Sequence, residues 1–131
     1  MSGAPTQSPR CLSPCATISN HVVRLMSEYT GRGPTKARTT ISDGLVTVLS
    51  QDTMTKGERS LVRDGQADLV LGTRKAYQRT MRQDLVAGIE QILQRKVVAF
   101  MSDNHIDPDM AIEAFVLAPT DHNGAAEQPL D

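Results

Sequence analysis

Between Asp68 and Arg95, apolar residues return at helical spacing: Tyr77, Met81, Leu85, Ile89 and Ile92, with Leu69 and Val70 opening the stripe and Val86 and Leu93 widening it. The opposite side is expected to carry Arg74, Lys75, Gln78, Arg79, Arg82, Gln83 and Gln91 to solvent. At 1.5 Å per residue the pattern predicts one amphipathic helix about 40 Å long, roughly twice a typical strand. Such a helix must bend, for which Gly72 and Gly88 are the places, or carry part of its stripe past its own sheet.

A shorter stripe precedes it: Ile18, Val22, Leu25, Met26 and Tyr29, with Thr17 or Ser19 as the cap and Gly31 as the stop. In TGRGPTKAR, Gly31 and Gly33 permit a left-handed cap and turn, and Pro34 forbids the helix from continuing. From Lys36 the period falls to two, with Ala37, Thr39 and Ile41 on one face and Lys36, Arg38 and Thr40 on the other. Asp43-Gly44 is a hairpin signal, and Leu45 to Ser50 is the return strand. Thr55 and Glu58 are spaced as a capping box for a short helix through Leu61 and Val62, which Gly65 stops. Arg95 and Lys96 close the long helix where cations suit its dipole. Val97 to Met101 then reads as a strand, Ser102 to Asp109 (SDNHIDPD) as a polar loop, and Met110 to Leu117 as a last strand. In that strand Ile112, Ala114 and Val116 alternate against Glu113, Phe115 and Leu117.

The order is helix, strand, strand, and again helix, strand, strand. It predicts an α+β fold in which two helix-hairpin (αββ) units form a four-stranded sheet with the helices packed on one face. The other face reads as mixed, with Lys36, Arg38 and Thr40 beside Val46 and Val48. An apolar patch there, together with the overlong helix, predicts a homo-oligomer, a dimer in the simplest case. Residues 1–14 hold three prolines and little to bury and are expected to form a disordered leader. Residues 15–118 make one domain, and 119–131 a flexible C-terminal tail.

Composition narrows the picture. The 131 residues suit a single core, and with no Trp, two Tyr and two Phe that core is aliphatic. A net charge of −1 argues against a general nucleic-acid or membrane-surface binder. No apolar run is long enough to span a bilayer and no signal peptide opens the chain, so a cytoplasmic protein without direct membrane insertion is expected. Cys11 and Cys15 read as two exposed thiols.

Little in the sequence suggests catalysis. TGRGPTK has the glycines and cations of a phosphate cradle but leaves a helix C-terminus, whose dipole repels anions, so a structural turn is expected, with anion or partner contact by Arg32, Lys36 and Arg38 as the alternative. Arg74 and Arg79 belong to a basic helix face that could extend such a contact to a small ligand or nucleic acid, although no aromatic residues interleave with it. Asp103, His105, Asp107 and Asp109 alternate as metal ligands could, but the Ca²⁺-loop template would place Gly at Pro108 and Glu at Ala114. No cofactor is expected, and no Cys, His or Ser stands in a catalytic motif.

The runs TGRGPTKARTTISDGLVTVL, TMTKGERSLVRDG and RKVVAFMSDNHIDPDMAIEAFVL, in that order, resemble the bacterial MpsC family over roughly residues 16 to 118. The family takes its name from the third component of a sodium-translocating, membrane-potential-generating system. The resemblance implies a non-enzymatic accessory or regulatory protein linked to a membrane transport partner for cations or bicarbonate. It assigns no catalytic residues.

Overall fold

The computed structural model describes residues 9 to 120, with side chains from Pro14 onward. Helix α1 (Pro9–Thr30) leads into strands β1 (Lys36–Ser42) and β2 (Leu45–Gln51). Helices α2 (Lys56–Arg63) and α3 (Ala67–Leu93) follow, then strands β3 (Val97–His105) and β4 (Met110–Leu117). All pairings are antiparallel and the strand order is β1-β2-β4-β3, so two hairpins meet along β2 and β4. This is the expected α+β sheet of two αββ units, with α2 inserted ahead of the second.

One face of the sheet is covered by α1 and α3. Ile18, Val22, Leu25 and Met26 of α1 pack against Met81, Leu85 and Ile89 of α3, and both rows rest on Val46, Val48, Phe115 and Leu117. Antiparallel alternation sets which residues face inward: Thr39 pairs with Val48 and Ile41 with Val46, so these share the helix side. The outer face therefore does not hold Val46 and Val48, as the sequence suggests, because both are fully buried. Its apolar residues are Leu45, Leu49, Ala99, Met101, Met110, Ile112, Ala114 and Val116.

Several boundaries also differ from expectation. Helix α1 begins at Pro9, where the missing N–H costs nothing in a first turn, so residues 9–14 of the expected leader are helical and 1–8 lie outside the described residues. Cys15, within this helix, is disulfide-bonded and not the free thiol expected. The tail beyond 120 also lies outside the described residues. Strand β3 runs four residues further than predicted, reducing the polar loop to residues 106–109. The start of α3 packs on α2, which takes up the length that the sequence assigned to a reach beyond the sheet.

Candidate functional site

A seam of polar side chains is buried in this otherwise aliphatic core. On the capping side, Thr55 accepts from the Glu58 N–H while Glu58 accepts from the Thr55 N–H at 2.8 Å, so the predicted capping box forms. The same carboxylate takes two bonds from Arg74, at 2.8 and 3.1 Å, and Arg74 also donates to the Thr53 carbonyl at 2.6 Å. Arg74 is only 5% exposed, so it is a fork clamped on a carboxylate rather than part of a solvated basic face.

One turn along α3, Gln78 is buried as well and exchanges amide hydrogen bonds with Asn104 of β3 at 2.9 and 3.4 Å. Its Nε2 also lies 3.4 Å from Oε2 of Glu113 on β4. Glu113 is fully buried because it shares a strand face with Phe115 and Leu117. Loss of hydration pushes its carboxyl up to about 7, against the smaller downward pulls of the Gln78 hydrogen bond and the Arg74 charge. Glu113 Oε1 and Ser50 Oγ, on diagonal positions of the paired strands, are buried without hydrogen-bond partners.

At the end of the sheet a second set of charges ties loops together. Asp52, in a left-handed conformation, is bridged by Arg32 at 2.8 Å and by Arg59. Desolvation works upward on its carboxyl, but hydrogen bonds and charge from Arg32 and Arg59 outweigh it and hold it below the usual range. Asp109 accepts from the Thr53 hydroxyl and the Met54 N–H, both at 2.8 Å. Gly31, with φ at +83°, closes α1 in the left-handed region. TGRGPTK is thus the structural turn the sequence favours, with Arg32 committed to Asp52.

The remaining predicted residues are scattered. Lys36 and Arg38 stand exposed on the outer face of β1. Arg79 and Arg82 line an open groove between α3 and β3, where the Arg82 guanidinium lies 5.8 Å from the Phe100 ring centre. Asp103 is exposed on the outer face of β3, His105 Nδ1 is 2.8 Å from the Pro108 carbonyl, and Asp107 is exposed in the turn. The alternating acids of SDNHIDPD therefore diverge, and among the described residues no group of three His, Cys, Asp or Glu could hold a metal ion. Sequence reasoning missed Glu113, Gln78 and Asn104. The signal for Glu113 was present in its alternation with Phe115 and Leu117.

The outer sheet face is left uncovered by the described elements. On it Leu45, Met101 and Ile112 are 41%, 56% and 38% exposed, and no described element crosses it. No helix among the described residues is long and apolar enough to cross a membrane.

Fold and surface together define a small α+β protein with paired αββ units, a buried polar seam and one bare sheet face. The family described as "MpsC: Na+-translocating membrane potential-generating system (MpsC)" matches residues 15–119, and the chain belongs to it. No curated protein matches the chain. Nor does any solved structure.

Proposed function

We propose that this protein acts without catalysis, as a cytoplasmic accessory or regulatory component of a membrane system that moves cations and sets membrane potential. The observation that carries this reading is the family match over residues 15–119; among the described residues the apolar outer sheet face adds a surface for protein association, and Arg74 and Arg32 are committed to Glu58 and Asp52. The family's printed name supplies the membrane system. A second reading, a nucleic-acid or small-ligand module, draws on Arg79 and Arg82 along the α3/β3 groove. It is weakened by the commitment of Arg74 to Glu58 and of Arg32 to Asp52.

The test is crosslinking in the native host, followed by detergent extraction and mass spectrometry of what the tagged protein retains. An integral-membrane cation-transport protein enriched over a tag-only control is the expected result. Nucleic acid retained in proportion to falling salt, with no membrane protein, would overturn the accessory reading in favour of the second.

A further inference from the structure

The outer sheet face has an ordering of charge that the sequence alone did not reveal. Strand register aligns Arg38, Leu49, Ile112 and Asp103 in one row across all four strands. The row is cationic on the β1 edge, apolar across the two middle strands and anionic on the β3 edge. Towards the Asp43-Gly44 turn the neighbouring rows are Thr40, Thr47, Ala114 and Met101, then Ser42, Leu45, Val116 and Ala99, both without charge; on the other side lies Lys36, Gln51, Met110 and His105, with Lys36 again on the β1 edge. Arg38 and Asp103 are exposed, and neither has an ion-pair partner among the described residues.

We infer that this face is covered by the same face of a second copy, about a two-fold axis lying parallel to the strands between β2 and β4. This rests on the reading of the protein as one that acts through surfaces. The axis reverses strand order, so β1 of one copy lies over β3 of the other. The charged row then meets itself backwards: Arg38 over the partner copy's Asp103, Leu49 over its Ile112, and the same contacts again by symmetry, while in the adjoining row Lys36 lies over the partner copy's His105 and Gln51 over its Met110. A two-fold axis perpendicular to the strands would instead bring β1 over β1 and β3 over β3, opposing like charges. The roughly 30° angle of aligned sheets displaces row ends by a few ångströms, which the length of Arg38 spans.

The other candidate cover is the chain outside the described residues. Those segments, MSGAPTQS and DHNGAAEQPLD, offer only Met1 and Leu130 as large apolar side chains, too few for a face containing Leu45, Leu49, Met101, Ile112 and Val116. Four strands about 4.8 Å apart and seven residues long give a face of roughly 19 by 23 Å. Two such faces bury on the order of 900 Å² before the rim is counted, the size class of weak, reversible associations.

A charge-swap series by sedimentation equilibrium tests the arrangement. The wild-type chain is expected to sediment at twice its 14.2 kDa mass at concentrations of about 100 μM and above. Arg38→Asp and Asp103→Arg each place two like-charge pairs in the interface and should each weaken self-association by about tenfold or more. Mixing these two single variants should regenerate a heterodimer, and the double variant Arg38→Asp/Asp103→Arg should dimerise about as well as wild type. Ile112→Arg should be monomeric with unchanged circular dichroism. A monomeric wild type overturns the inference, as does a dimer indifferent to Ile112→Arg or single variants that do not rescue each other. A monomer that still retains a membrane transport protein sinks only the inference. An intact, charge-swappable dimer that retains none sinks only the accessory reading.

Discussion

At the scale of single residues, Glu113 gives the sharpest consequence. Its carboxyl, ordinarily near 4.5, is raised to about 7 by burial, so the folded chain holds this proton more tightly than the unfolded chain does. Stability from this group is complete below about pH 4.5, declines as pH rises, and is lost above about pH 7, a swing on the order of 3 kcal/mol. Glu113→Gln keeps the shape without the titration. In urea melts at pH 5 and pH 8 it should reduce the wild-type loss of stability with rising pH and leave the variant the more stable of the two at pH 8. The carboxyl of Asp52, held low by its two arginines, works in the opposite sense and loses stability as pH falls, so the difference between variant and wild type is what isolates Glu113. The two glycines of α3 also separate at this scale. A methyl group on Gly88 would lie 1.9 Å from Nε2 of His21, whose ring crosses the helix there, whereas one on Gly72 meets nothing within 4 Å. Gly88→Ala should cost about 1–3 kcal/mol as the ring is displaced, and Gly72→Ala should gain about 0.5–1 kcal/mol, both read from thermal unfolding.

At the scale of elements, α3 shows where a pattern can be trusted. Its limits, Ala67–Leu93, fall within two residues of the reading from periodicity, and Met81, Leu85 and Ile89 face the core as expected. Arg74 and Gln78 do not face water, because the inward stripe continues through them toward Val70. Periodicity assigns sides by polarity, and no local pattern announces that Glu58, sixteen residues away, will neutralise Arg74 inside the fold. The same blindness hid Asn104, since only the extension of β3 puts it opposite Gln78. The end of α3 differs from expectation for a local reason: the helix stops at Gln94, which takes the left-handed cap conformation at φ 56° and donates to the Glu90 carbonyl at 2.8 Å. Arg95 is drawn away to the Ala118 carbonyl. Glycine adopts that backbone without steric cost, so Gln94→Gly should raise stability by up to about 1 kcal/mol in the same unfolding measurement.

At the scale of the whole molecule, the sheet's composition was legible and its facing was not. The Asp43-Gly44 turn fixed the first hairpin, and the final strand showed its alternation, yet Val46 and Val48 were placed on the wrong side. In a strand as short as Leu45 to Ser50 (LVTVLS), four apolar residues stand two to a face, and only the partner's register decides between them. The candidate site followed the same rule. Charges visible in motifs proved to be internal ties or scattered surface groups, and the groups that matter to packing came from distant strands and helices. The strand order has a kinetic consequence. Each hairpin joins neighbours in the chain and can close without a long search, but the seam between β2 and β4 brings Val48 beside Glu113 and must wait for everything between them to be gathered in. Zipping that seam is the step expected to set the folding time, and substitutions along it should slow refolding where equal losses at the hairpin turns mainly hasten unfolding.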